Sequence, residues 1–319
     1  MSPRAPLGLR EVEEAARRLA AFLQPTPVVR SLTEDAWLKL ENLQKTGAYK
    51  VRGALNALLL QRERGDSRPI VAASAGNHGA GVAWAAQLLG MQATIVVPKR
   101  APQAKVRRIQ QYGAEVQYVG EDFDQSLNWA QRLASSEGAR FLHAFDDPDI
   151  IAGQGTTALE LLELKPDVVL IPIGGGGLAS GCSIPLQDAG VRVVGVQIEG
   201  VDALASFLRG GPSRILPRET IADGLRVREA GVLTRELCRH GLSDIVLVTE
   251  EQVKRSQAKL ATFDRIAAEG AGAVAFAALP QVEGETRVAI VSGGNSDDLS
   301  LGDRPSVGHL DPICSNLLS

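Results

Sequence analysis

Leu9, Val12, Ala16, Leu19 and Leu23 recur at helical spacing, which predicts an amphipathic helix over 9–23 that Pro25 and Pro27 bring to a stop. From residue 70 the pattern changes, and short β-branched runs alternate with longer helical stretches. IVAAS (70–74) precedes an apolar helix around 82–89, ATIVVP (93–98) a helix around 103–112, and EVQYVG (115–120) a helix over 124–135. DVVLIPI (167–173) precedes a helix over 178–189 and RVVGVQI (192–198) follows it. DIVLV (244–248) leads into a long helix beginning near Glu250, and RVAIVS (287–292) closes the series. Such alternation predicts an α/β fold with parallel sheets covered by helices. The strands are too many for one small sheet and lack the eightfold regularity of a barrel. The pattern therefore predicts two open sheets, a smaller α/β unit over 69–144 inserted into a larger one made of 1–68 and 145–319. No repeat is visible, and the Gly/Pro/Asp-rich segment 301–319 reads as a loosely ordered tail.

Composition narrows the class. The 319 residues are 45% hydrophobic and 22% charged, which suits a substantial packed core rather than disorder. Thirty-four basic residues against 37 acidic ones leave a net charge of −3, without the basic excess of a nucleic-acid protein. No apolar run approaches the ~18–20 residues that span a bilayer. The first twenty residues carry Glu11, Glu13 and Glu14 and no apolar core, unlike a secretory signal. Cys182, Cys238 and Cys314 are scattered and odd in number, which argues against a disulfide framework and for a reducing cytoplasm. His143 and His240 have no partners at metal-ligand spacing.

Open parallel sheets bind ligands just beyond the carboxyl ends of their strands. Three strands here run into glycine and small polar residues: Ala75-Gly76-Asn77-His78-Gly79, Gly174-Gly175-Gly176-Gly177 and Gly293-Gly294-Asn295. Any one of these could be an ordinary tight turn, but three in one chain point to a ligand in the crevice. The tetraglycine run opens directly onto a helix, and bare N–H groups at a helix N-terminus suit a phosphate. No Gly-Lys-Ser/Thr follows, and a G-x-G-x-x-G spacing is not completed past Gly177, so a single phosphate group fits better than a dinucleotide. The chain uses 26 arginines and only 8 lysines. Lys50, set in TGAYKVRGALNALLL, reads either as a snorkelling helix lysine or as a desolvated amine suited to Schiff-base chemistry. A phosphate cradle and such a lysine are the minimum kit for pyridoxal 5′-phosphate.

Six segments then occur in order: TGAYKVRGA (46–54), SAGNHG (74–79), FDDPDIIAGQGT (145–156), PIGGGG (172–177), IADG (221–224) and SGGN (292–295). Together they resemble the fold-type II pyridoxal-phosphate enzymes, and within them the threonine/serine dehydratase and serine racemase branch, from about residue 25 to 297. The resemblance implies a tryptophan synthase β-like α/β architecture, two open parallel-sheet domains with the cofactor in the cleft between them. It implies that Lys50 bonds the cofactor and then acts as base at the substrate Cα. Gly174, Gly175, Gly176, Gly177 and the backbone of Leu178 would cradle the cofactor phosphate. Asn77 would hydrogen-bond the ring hydroxyl, Ser292 would face the pyridine nitrogen, and Tyr49 and Glu269 would lie beside the ring. Ser74, Ala75, Gly76, Asn77 and His78 would receive the substrate carboxylate.

This chain departs from the family pattern in places. Ala48-Tyr49 stands where the family usually has Ser-Phe, and Glu269-Gly270 where it more often has Glu-Pro. Ala75 occupies the position at which racemases carry a serine, and a methyl group moves no proton. After Glu199, Asp202 falls at a different spacing from the acids of a divalent-cation loop and Ala205 replaces the second acid, so no metal is expected. The chain stops soon after SGGN, and no C-terminal regulatory domain is expected. The resemblance thus implies a cytoplasmic ammonia-lyase that converts L-threonine to 2-oxobutanoate and ammonia, and L-serine to pyruvate. A small amino acid would be its substrate, a homo-oligomer (dimer or tetramer) its working form, and neither nucleic acid nor membrane its partner. The alternatives are a racemase, a dehydratase of another β-hydroxy amino acid such as hydroxyaspartate or phenylserine, and a cofactor-binding protein without turnover.

Overall fold

The computed structural model describes residues 7–296, so the tail expected at 301–319 lies outside the described residues. The described residues form ten strands: β1 (Val28–Arg30), β2 (Trp37–Leu40), β3 (Ile70–Ala73), β4 (Ala93–Val97), β5 (Glu115–Tyr118), β6 (Arg140–Phe141), β7 (Val168–Pro172), β8 (Arg192–Ile198), β9 (Asp244–Val248) and β10 (Arg287–Val291). Six of them build one sheet in the order β1-β2-β10-β7-β8-β9, and four build another in the order β5-β4-β3-β6. All pairings are parallel except that of β1, which runs antiparallel to β2 at the edge of the larger sheet. The seven strands expected from the hydrophobic pattern are present to within two residues at either end. Strands β1, β2 and β6 were not expected; with three, four and two residues they are too short to show a period.

Among the described residues eleven α-helices cover the sheets: α1 (Leu9–Leu19), α2 (Lys50–Glu63), α3 (Asn77–Leu89), α4 (Gln103–Gln110), α5 (Phe123–Ser136), α6 (Pro148–Leu159), α7 (Gly177–Asp188), α8 (Ala203–Leu208), α9 (Val232–Gly241), α10 (Glu250–Lys259) and α11 (Gly270–Ala277). Helix α1 ends four residues before the expected Leu23, because the N–H groups of Phe22 and Leu23 both turn back to the Leu19 carbonyl. Leu23 is still buried. Helix α3 begins at Asn77, five residues earlier than its apolar pattern suggested.

Helix α2 rests on the smaller sheet. Its Val51, Ala54, Leu55 and Leu58 share one apolar cluster with Ile70 and Ala72 of β3 and Ile95 and Val97 of β4. Helix α6 crosses α2 in close contact: a Cβ on Gly153 would stand 2.6 Å from the Gly53 Cα. The larger sheet is covered on both faces, by α11 with β2, β7 and β10 on one side and by α7 on the other. Strands β7 and β10 are accordingly near-continuous apolar runs, as a strand buried on both faces must be.

A charged cluster lies in the interior where β2, α2 and α6 meet. Lys39 and Glu41 are fully buried and Arg52 is 2% exposed. The Arg52 guanidinium donates to both Glu41 oxygens at 2.7 Å and to Glu160 at 2.6 and 3.0 Å. The Lys39 ammonium pairs with Glu160 and donates to the Thr26 carbonyl at 2.7 Å. Burial opposes ionisation of Glu41, but the Arg52 charge and hydrogen bonds, with the Thr26 hydroxyl, outweigh it and hold this carboxyl below its usual range. Glu41→Gln keeps the shape and leaves a buried cation half-paired. It is expected to lower the free energy of unfolding by about 3 kcal/mol, read from the urea midpoint at constant slope. The contribution of Glu41 is complete above the ordinary carboxylate range and is lost as pH falls through its depressed folded-state value, so variant and wild type converge in acid. A difference that stays the same down to strongly acidic pH would count against this account.

Candidate active site

The carboxyl ends of β2, β3, β7 and β10 all open toward one cleft. After β2 the chain makes two short 3-10 turns over 41–47 before α2. Residues 47–49 are laid along the end of β10: Ala48 bridges Gly293, the Tyr49 N–H donates to the Ser292 carbonyl at 3.2 Å, and the Gly294 N–H donates to that of Gly47 at 2.9 Å. Lys50, the first residue of α2, is thereby fixed at the cleft floor. Its ammonium donates to the Ala144 carbonyl at 2.8 Å and stands 5.3 Å from the Tyr49 ring centre. Among the described residues no carboxylate pairs with it, and burial lowers its pKa to about 8. Burial also pushes the Tyr49 hydroxyl well above its usual range.

The tetraglycine run joins β7 to α7, and crowding explains why it carries no side chains. A Cβ on Gly175 would stand 2.3 Å from the Phe145 ring, and one on Gly177 would stand 2.9 Å from the Phe145 Cβ. Gly176 has φ +95°, in the left-handed region that favours glycine. The Thr234 hydroxyl donates to the Gly175 carbonyl at 2.7 Å and fixes the loop from behind. No side chain caps the N-terminus of α7, which leaves its leading N–H groups to other partners. Leu178 belongs to the core with its side chain, so only its backbone is available to the cleft. Phe145 directly follows Ala144, so one short segment touches both the lysine and the glycine loop. Asp146 completes that segment by accepting the N–H groups of Val232, Leu233 and Thr234 at 2.9–3.1 Å, which caps α9.

The 74–78 loop leads from β3 into α3. The Ser74 hydroxyl accepts the Gly76 N–H at 3.1 Å, and Gly76 begins the helix without a side-chain cap. Ala75 is half-buried, and its methyl group packs beside the smaller sheet's core. The Asn77 amide donates to Glu269 at 2.7 Å, and its oxygen accepts from Asn295 at 2.8 Å. Burial and the neighbouring Asp223 carboxylate raise the pKa of Glu269 to about 7. His78 is buried and donates from Nε2 to the Leu142 carbonyl at 3.2 Å. Burial and the Lys50 charge lower its pKa to about 3, so it is a neutral imidazole. Ser292 is buried at the end of β10, its hydroxyl making one long bond, 3.4 Å, to the Ala271 carbonyl.

The cleft therefore brings together a weakly basic lysine, a neutral hydroxyl, a carboxyl that titrates near neutrality, and two helix N-termini without side-chain caps. Among the described residues no group of His, Cys, Asp and Glu has the geometry to hold a metal. Phe145, Asp146, Thr234 and Asn295 were not singled out in the sequence. Phe145, Asp146 and Asn295 fall inside motifs noted for other residues, whereas Thr234 gave no signal of its own.

The chain resembles enzymes of known type over most of its length. It is 42% identical to the L-threonine ammonia-lyase of Thermotoga maritima over 303 residues, 91% of this chain and 76% of that one. It is 38% identical to the catabolic L-threonine dehydratase of Escherichia coli over 309 residues, 92% of this chain and 94% of that one. Among solved structures, maize serine racemase superposes with a TM-score of 0.88 at 32% identity, over 92% of this chain and 95% of that one. A threonine deaminase from T.th. superposes with 0.84 at 36% identity, over 91% and 99%. With residues 19–294 matching the family model for pyridoxal-phosphate dependent enzymes, the chain belongs to that family.

Proposed function

We propose that this protein is an ammonia-lyase of β-hydroxy amino acids, acting on L-threonine and also on L-serine, with pyridoxal 5′-phosphate held in the cleft described above. The observation that carries the reading is the Lys50 amine, unpaired by any carboxylate, lowered to about 8, and joined through residues 144 and 145 to the tetraglycine loop. The similarity to threonine ammonia-lyase and threonine dehydratases at 38–42% identity supports the same substrate class.

The residues present fit the cofactor. Four glycines, three of which have no room for a Cβ, open onto an uncapped helix, where bare N–H groups and the helix dipole favour a phosphate. Lys50 would be the amine that bonds the cofactor, Asn77 would donate to its ring hydroxyl and Ser292 would partner its ring nitrogen, with Tyr49 and Glu269 beside the ring. Bound there, the cofactor supplies an electron-withdrawing ring that stabilises negative charge at the substrate Cα. The chain's own residues do the rest. Residues 74–78 orient the substrate carboxylate at the N-terminus of α3. Lys50, with a pKa close to neutrality, takes the Cα proton. Ser292 carries no charge and so does not hold a proton on the ring, which favours prompt loss of the β-hydroxyl. Threonine then yields 2-oxobutanoate and ammonia, and serine yields pyruvate and ammonia.

Serine racemase is among the structural relatives, and Ala75 is the residue that weighs against that chemistry here. Two-face proton exchange needs a donor opposite Lys50, and a methyl group supplies none. We further propose a cytoplasmic homo-oligomer, dimer or tetramer. Its support is two unpaired buried cysteines, no described helix long and apolar enough to cross a membrane, and exposed Leu32, Leu216 and Phe263.

Borohydride reduction of the holoenzyme, followed by peptide mapping, is expected to place the cofactor on Lys50, and Lys50→Ala to abolish labelling and turnover. Label on Lys39 or Lys45 would sink the assignment. In the cofactor-free protein, acylation of Lys50 is expected to rise with pH to a midpoint near 8, because the uncharged amine is the reactive form. A midpoint in the ordinary lysine range would contradict its desolvation. With L-serine as substrate, chiral chromatography is expected to find D-serine at a small fraction of pyruvate. Ala75→Ser is expected to raise that fraction, and D-serine formed by the wild type as fast as pyruvate would move the protein to the racemases.

A further inference from the structure

Asn295 stands where three segments of the cleft meet. One carboxamide nitrogen donates to the Thr46 carbonyl at 2.7 Å and to the Asn77 side-chain oxygen at 2.8 Å. A backbone carbonyl only accepts, so it dictates which end of Asn295 is nitrogen. That nitrogen in turn dictates that the atom of Asn77 facing it is oxygen. The Asn77 nitrogen is therefore turned the other way, where it donates one hydrogen to Glu269 at 2.7 Å and keeps the second. The polarity of the Asn77 amide is thus set from both sides, by the Glu269 carboxylate that accepts from its nitrogen and by a carbonyl two hydrogen bonds away on its oxygen side.

The turn that presents this carbonyl is itself strained. Thr46 has φ +62°, a left-handed conformation that a β-branched residue adopts only when its surroundings hold it there. Its buried hydroxyl has no hydrogen-bond partner. Gly47 follows at φ +75°, and a Cβ on it would stand 2.5 Å from the Asn295 side-chain oxygen. Asn295 therefore packs into the turn as well as bonding it, and this turn leads within four residues to Lys50.

We propose that Asn295 is a positioning residue for the reaction, fastening the Thr46–Gly47 turn and fixing the Asn77 amide with its free N–H toward the ring hydroxyl of the cofactor. This rests on the assignment of Asn77 given under Proposed function and adds the residue that orients it. Asn295 itself touches neither cofactor nor substrate; it acts through Asn77 and through the turn.

The test reads cofactor binding and absorbance in the full-length protein, beside turnover. Asn295→Ala is expected to weaken pyridoxal 5′-phosphate binding about tenfold, the loss of roughly one hydrogen bond, and to shift the absorbance maximum of the bound cofactor in the same direction as Asn77→Ala. In a Thr46→Gly background, where the turn needs no fastening, the two act in series, and there Asn77→Ala/Asn295→Ala is expected to bind no more than about twofold worse than Asn77→Ala alone. Asn295→Asp, which keeps the volume but removes the donor, is expected to match Asn295→Ala. Should Asn295→Ala fold poorly, Thr46→Gly supplies a background in which the turn needs no fastening. There the Asn295 substitution is expected to fold and still to shift the cofactor band. Losses that multiply in the double variant, or an Asn295→Ala protein with unchanged affinity and spectrum, would overturn the positioning role. Asn77→Ala leaving the cofactor band unmoved would instead overturn the assignment of Asn77 on which it rests.

Discussion

Four charges, three of them sealed from water, constrain everything built on α2. Lys39, Glu41, Arg52 and Glu160 balance one another, and none can leave without stranding another in a medium that solvates ions poorly. A buried ionic cluster is not a strong source of stability compared with well-packed apolar side chains of the same volume. What it supplies is register. Arg52 makes both of its forked contacts only when β2, α2 and α6 stand at one height relative to one another, and Lys50 lies two residues before it on the same helix. The lysine amine is held in place by interactions it does not itself make.

The opposite rim of the cleft is tied differently. The Asp223 carboxylate pairs with Lys105 of α4, and Arg228 and Arg214 reach Asp124 of α5 at 2.8 and 3.0 Å. These pairs join the segment before α9 to the smaller sheet, and they lie at least partly in solvent. Such pairs are individually weak, on the order of 0–1 kcal/mol, and are screened by salt. A rigid floor and a weakly tied rim give a cleft that can admit a small molecule without moving the lysine.

Much of this organisation was legible in the sequence, for an identifiable reason. The central strands are buried on both faces and must be apolar throughout, and the glycines of 175–177 have no room for a side chain. Helix α11 escaped notice because GAGAVAFA is buried all round and has no polar face to give it a period. Helix α2 lies against the smaller sheet although it precedes that sheet in the chain, which no local pattern reveals. The side chains that hold the site in shape were harder still. Asp146 acts on backbone 86 to 88 residues away, and Asn295 on a side chain 218 residues away. The SGGN motif drew attention to Ser292 at the strand end, but a short motif does not say which of its members reaches across space.

The bond from Asn295 to Thr46 spans 249 residues of chain and so has a consequence in time. On the ribosome, the lysine and the strands of the smaller sheet emerge first, whereas the strand that flanks the lysine turn follows only after β3 to β9. The α2 helix can settle on the smaller sheet long before β10 slides between β2 and β7 to complete the larger one. Contacts this distant in sequence form slowly, because the intervening chain must first be ordered. The nascent protein accordingly carries its reactive amine with one wall of the site absent until β10 has joined β2 and β7.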